Sequence, residues 1–179
     1  MTDSIRLAPL VCGNCQTMLP AYPDEMAWRC EQCGAGWHLS ATLDGLQPHT
    51  IHYSARLNPQ VHGRPFWVAQ GSVSLQRETY SGNESRQAQE FWSVPRRFFV
   101  PAFTCPLETL LEVGRDLLLK PPDLQEGPPG KFSAVTVGPH DTRALAEFIV
   151  LSLEADRKDK LKQARISVQL AAPELWILP

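Results

Sequence analysis

The sequence predicts an α+β fold in which an N-terminal four-cysteine zinc ribbon precedes a mainly antiparallel sheet with two helices, in the order ββαβαββ. Three observations predict it. Two Cys-x2-Cys pairs, Cys12-Gly13-Asn14-Cys15 and Cys30-Glu31-Gln32-Cys33, lie near the start of the chain. Apolar residues then alternate along several short runs, the period of strands, and beyond Pro106 they recur at helical spacing. A chain of 179 residues accommodates one small and one ordinary domain. The expected division is a ribbon over 1–45, a linker or arm over 46–64 and an α+β domain over 65–179.

Each cysteine pair places two thiolates in one tight turn, and two such turns facing each other supply four sulfurs at the bond length of about 2.3 Å that zinc prefers. Gly13 within the first pair and Gly34 after the second are expected to take the positive φ angles of the two turns. Four cysteine ligands close the tetrahedron and leave no position for water or substrate. One structural zinc per chain, held by Cys12, Cys15, Cys30 and Cys33, is therefore expected. Iron would use the same ligands. Two disulfides are the competing arrangement, but Met1-Thr2-Asp3 is no secretory signal and Cys105 would be left odd. His38 can in principle replace a thiolate, although four cysteines already suffice.

Within the ribbon, a first strand is expected between the first cysteine pair and a turn at Pro20 to Asp24, a second at Met26 to Arg29 and a third through Trp37-His38-Leu39. So small a module has little core, so metal binding and folding should be one event. The arm carries Pro48, Pro59, Gly63 and three histidines, His49, His52 and His62. His49-x2-His52 mimics a second metal site, but no acidic or cysteine partner stands near it in sequence. Pro65-Phe66-Trp67-Val68 opens a strand that alternates to Leu75, Ser81-Gly82-Asn83-Glu84 reads as a hairpin turn, and Phe91 to Val100 as the return strand. Thr104 and Pro106 start a helix through Leu107, Leu110, Leu111, Leu117 and Leu118. Pro121 to Gly130 is a rigid loop, and Phe132 to Val137 alternates as a strand. Asp141 is placed to cap a second helix with Leu145, Phe148, Ile149 and Leu153 on one face and Arg157, Lys158 and Lys160 at its negative end. Strands at Ile166 to Leu170 and Leu175 to Leu178 close the chain.

Net charge is −2, and residues 1–45 hold Arg6 and Arg29 against Asp3, Asp24, Glu25, Glu31 and Asp44. Nucleic-acid affinity rests mainly on Lys and Arg at phosphates, so the ribbon is poorly equipped for it. No run approaches the apolar length of a membrane span, and a cytoplasmic protein is expected. Phosphate-loop, Gly-x-Ser-x-Gly, His-Glu-x2-His and dinucleotide signatures are absent from the sequence. Cys105 is the one candidate nucleophile, and it would need a base and a lowered pKa. The adjacent aromatics Phe66-Trp67, Phe91-Trp92 and Phe98-Phe99 point to opposite sides of their strands. One helix layer covers one face, so the other must meet the zinc ribbon, a protein partner or a second copy of the chain, and association through Trp67, Trp92 or Phe99 is expected. Arg96-Arg97 beside Phe98-Phe99 offers the alternative of a base-stacking strip.

Pro65-Phe66-Trp67, Val100-Pro101-Ala102-Phe103 and Leu175-Trp176-Ile177-Leu178-Pro179, following the cysteine pairs, resemble the strands of bacterial zinc-ribbon proteins of unassigned function. The resemblance implies a ribbon like that of transcription factor IIB followed by an α+β domain. Proteins of this kind are often described as resembling transcription-factor or helicase ribbons, a label for the ribbon and not for an activity. The expected function is that of a non-enzymatic interaction or scaffold protein. The alternatives are a nucleic-acid-associated accessory factor and an enzyme using Cys105.

Overall fold

The computed structural model describes residues 9–20, 22–40, 45–76, 83–155 and 165–179. Its architecture is mixed α+β, with more sheet than helix. The N-terminal part is a three-stranded antiparallel sheet of β1 (Ala27–Arg29), β2 (Gly36–Leu39) and β3 (Leu46–Pro48), in that order. Pairing runs Trp28 against Trp37 and Leu39 against Leu46. β3 was not anticipated. Gly45, at φ +98°, accepts from the Ser40 N–H and turns the chain back onto β2, a conformation that favours glycine. Pro48 ends β3 on the sheet edge, where its missing N–H costs no ladder bond.

The chain passes from this sheet to the next with only His49 and Thr50 between. β4 (Ile51–Tyr53) joins the main sheet parallel to β8 (Glu174–Leu178). Residues 46–64, expected as a linker or arm, therefore contain two paired strands. The main sheet runs β4-β8-β5-β6, where β5 is Arg64–Gln76 and β6 is Arg96–Pro101, and β7 (Arg165–Leu170) also pairs with β5. β6 occupies one edge of β5, while β8 and β7 lie end to end along the other. Gly71 opposes Leu170 and Val68 opposes Glu174, a slip of register that leaves a bulge over Ala171 to Pro173. All of these pairings are antiparallel except that of β4.

Between β5 and β6 the expected hairpin is replaced by a helix, α1 (Asn83–Trp92), so Phe91 and Trp92 end a helix and do not begin a strand. The turn's first residues, Ser81 and Gly82, lie outside the described residues. The order from β5 onward is βαβααββ, because Phe132 to Val137 does not form a strand either. That segment spends its backbone groups on several partners: Met26 N–H donates to Val135, the Thr136 N–H to Ala102, and the Ser133 N–H to Gly63. It stitches β1 to the main sheet, and Val135 is fully buried.

α2 (Leu107–Leu119) and α3 (Thr142–Ala155) form the helical layer, the latter entered through a 3-10 turn at Pro139–Asp141. They meet at Gly114, where an added Cβ would lie 2.4 Å from Ile149 Cδ1. Ile149 and Leu153 face the core and Leu145 is half-buried, but Phe148 is turned to solvent, 50% exposed. It shares the outer face with Leu151, leaving α3 apolar on both sides. Arg157, Lys158 and Lys160 lie outside the described residues. No helix among the described residues is long and apolar enough to cross a membrane.

The chain closes both faces of its own sheet. Trp67, Phe98 and Val100 join Leu110, Leu118, Ile149 and Val150 in the larger core, which also takes in Ala27 of β1. Phe66, Val68, Phe99, Trp176 and Leu178 form the second core under Phe103, Val113, Leu117 and Leu124. α2 lies against β6 at the sheet edge and feeds both. Trp67, Phe98 and Phe99 are 0% exposed and Phe66 is 1% exposed. The expected partner-docking face at Trp67, Trp92 and Phe99 is therefore corrected: all three rings are buried, Trp67 and Phe99 on opposite faces, and α2 with the flanking Phe103 and Leu124 supplies the second cover.

Candidate metal centre

The four cysteines arrive from two turns built on one plan. In the first, Cys12 N–H donates to Thr17 O at 2.8 Å and Gln16 N–H to Cys12 O at 2.9 Å. In the second, Cys30 N–H donates to Ala35 O at 2.8 Å and Gly34 N–H to Cys30 O at 2.9 Å. The residue after each pair takes positive φ, Gln16 at 61° and Gly34 at 78°. Gly13 does not, contrary to expectation. Its lack of a side chain serves the Trp37 ring instead, which would meet an added Cβ at 2.6 Å.

The four sulfurs all lie within 4.8 Å of one another, and no other group of metal-ligating side chains gathers among the described residues. Cys12 and Cys33 are 3.5 Å apart, as are Cys15 and Cys30. A tetrahedron with bonds of about 2.3 Å has sulfur–sulfur edges of about 3.8 Å, so the arrangement can hold a metal ion and the donor set suits zinc. All five cysteines are free of disulfides. Cys12 and Cys30 are buried with Leu19 and Trp28, Cys15 is half-buried, and Cys33 forms the exposed rim.

Electrostatics divide the thiols. At Cys12, burial raises the pKa, but the backbone N–H groups of Cys15 and Asn14 and the neighbouring thiols outweigh it and bring it down to about 6. Thr17, with Oγ1 3.3 Å from Sγ and its backbone N–H, lowers Cys15. Cys30 gains from the Cys33 N–H, yet burial and the adjacent thiols push it up to about 11. Clustered thiols do not all ionise easily without a cation, and a coordinated divalent ion deprotonates them outright.

Comparison with protein-family models, with curated proteins and with solved structures finds no match. The likeness to bacterial zinc-ribbon proteins thus rests on the residues quoted for it alone.

The histidines are dispersed. His38 and His49 pack edge to face at 5.0 Å, and His49 meets Trp67 in the same way at 5.4 Å. His38 is therefore engaged with His49, outside the sulfur cluster. His52 stacks on Trp176 at 4.8 Å with its Nδ1 2.6 Å from Glu126 Oε1, while His62 is exposed. Burial, then the charges of His38 and His52, lower the His49 pKa to about 4. Above pH 6.5 the folded and unfolded chains both carry it neutral; as pH falls toward about 4 the unfolded chain takes up a proton that the folded one resists, and stability is lost. Because the ring keeps partial contact with solvent, about 1–2 kcal/mol is expected to disappear between pH 7 and 5. Denaturant midpoints at the two pH values should draw closer in His49→Gln, and an unchanged gap would assign the acid sensitivity elsewhere.

Two further sequence candidates gain no support among the described residues. Burial raises the Cys105 thiol, opposite to the activation a nucleophile needs. Arg96 donates to Phe91 O through Nε and Nη2 and lies 4.0 Å from the Phe91 ring centre, while Phe98 and Phe99 are buried, so no base-stacking strip is exposed. Sequence reasoning missed the positive φ of Gln16 and the packing of the Trp37 ring on Gly13. Superposing the two Cys-x2-Cys turns, with Gln16 on Gly34, is the signal that could have found the first.

Proposed function

We propose that this is a non-enzymatic scaffold protein in which a structural zinc ion, held by Cys12, Cys15, Cys30 and Cys33, fixes the N-terminal ribbon against the α+β domain. The observation that carries the reading is the convergence of four sulfurs into a closed set, which leaves no ligand position for substrate. Zinc would supply folding energy here and no reaction step. The cysteine lobe carries the exposed Met18 and Tyr22, and α3 the exposed Phe148 and Leu151; these side chains, and not the closed sheet faces, are available to a protein partner. Metal analysis of the purified protein is expected to give about one zinc per chain. Cobalt substitution should give thiolate charge-transfer absorption that Cys30→Ser weakens sharply, with loss of zinc. A Cys30→Ser protein with full zinc content would overturn the assignment, and stoichiometric iron would replace zinc in it.

A further inference from the structure

A buried hydroxyl without a partner, that of Tyr53, and a half-buried arginine, Arg29, line one cleft between the cysteine lobe and the main sheet. The cleft, about 260 Å³, is lined among others by Arg29 and Gly34 from the lobe, His52 and Tyr53 from β4, and Glu126 from the following loop. Tyr53 is 5% exposed, and its hydroxyl has no protein partner. Arg29 forms no hydrogen bond or ion pair with a described residue. Its guanidinium lies over Gly34, with Nη2 3.1 Å from where a Cβ would stand. Burial raises the Tyr53 phenol, and the Arg29 charge is close enough to pull against that effect. The two donors therefore share one neighbourhood.

A buried hydroxyl without a partner costs on the order of 1–3 kcal/mol, and an acceptor group placed between Tyr53 and Arg29 would relieve that cost while meeting the arginine's charge. We propose that this cleft binds a small oxyanion, a carboxylate or phosphate group, held by the Arg29 guanidinium and the Tyr53 hydroxyl. Charge-assisted bonds from arginine to such groups are among the stronger polar contacts. The opposite wall restricts the ligand. Backbone pairing of Ser54 with Glu126 fixes the Glu126 side chain beside His52, and their 2.6 Å contact engages its carboxylate. Glu126 repels a second negative charge, so a singly charged group is favoured over a dianion, and a ligand bearing a hydrogen-bond donor at its other end fits best. The site draws Arg29 from one sheet and Tyr53 from the other, so occupancy would tie the lobe to the main sheet.

The test titrates the metal-loaded full chain at pH 7 and constant ionic strength with sodium acetate and, separately, with inorganic phosphate, against chloride. The Arg29 Nε–H signal and nearby amides are followed by NMR. Saturation below about 20 mM is expected, with acetate the tighter. Arg29→Gln and Tyr53→Phe should each raise Kd about tenfold or more. Phosphate binding more tightly than acetate would still support the site and assign its source to a phosphate-bearing ligand. Tyr53→Phe should also raise the thermal midpoint of the free protein, because it deletes an unpartnered hydroxyl, and so it tests the site in a sound fold even if Arg29→Gln disturbs the adjacent Cys30. Zinc content measured on each variant separates failure of this site from failure of the metal reading. No saturable response to either anion, or saturable binding that survives in both variants, would overturn the proposal.

Discussion

Chelating the metal is expected to unfold the cysteine lobe and to lower the thermal midpoint of the main sheet by about 5 °C or more, without abolishing the sheet. The first half follows from size: beyond the cysteines, the lobe's own cluster of buried residues is Leu19 and Trp28, which is too little to offset the entropy of ordering it. The second half follows from how the lobe is attached. Ala27 sits in the main core, Val135 pairs with it across the junction, and His49 packs on Trp67 only two residues before β4 begins. Loss of the lobe uncovers these groups. The larger part of the core, from Trp67 and Phe98 to Ile149 and Val168, is built from β5, β6, β7, α2 and α3 and needs none of the four metal-site cysteines. Far-ultraviolet circular dichroism should therefore fall in part on chelation, and the remaining signal should melt earlier than in the metal-loaded protein. An unchanged melt would make the lobe an independent appendage. Total loss of signal would make it integral to the core.

How much of this was legible in the sequence depends on the range of the interaction concerned. The cysteine cluster was readable because each pair fixes its own turn within four residues, so spacing and chemistry coincide. β5, α2, α3 and the closing strands were readable for a similar reason, since period follows from burying one face or two. The errors fall where distant partners decide the local state. Asn83 to Trp92 carries turn-forming residues at its start and aromatics at its end, yet it becomes helix because Trp92 has a buried partner on α3. Phe132 to Val137 alternates like a strand, but Met26, Gly63 and Ala102 divide its backbone bonds among them. Phe66-Trp67 and Phe98-Phe99 were rightly placed on opposite faces, whereas Phe91-Trp92 ends a helix and packs on one core. What the pattern could not show was that α2 straddles the β6 edge and covers both. Arg29, Tyr53 and Glu126 carry no shared local signal, because the fold gathers them from three separate stretches of chain.

Replacing Trp92 is expected to be among the most costly single changes outside the metal centre. Its indole N–H donates to Glu154 Oε1 at 2.8 Å inside the core, where Glu154 is 0% exposed, and its ring stacks parallel to Phe98 at 6.5 Å. A carboxylate at that depth is tolerated through its hydrogen bonds, so taking away a donor costs more than the bond's net worth. Trp92→Phe keeps an aromatic ring and removes the donor, and should cost about 2–3 kcal/mol, or roughly 4–12 °C in Tm for a chain of this size. Trp92→Ala adds a cavity beside Phe98 and should cost about 3–5 kcal/mol. The two contributions separate in a double-mutant cycle. If the hydrogen bond to Glu154 carries the first effect, Trp92→Phe should cost much less in a Glu154→Leu background, where no buried oxygen is left to satisfy, and urea midpoints should show a coupling of about 1 kcal/mol or more. Additive losses would mean that Trp92 matters through its volume alone, and that α1 is held in place by ring packing and not by the buried polar contact between α1 and α3.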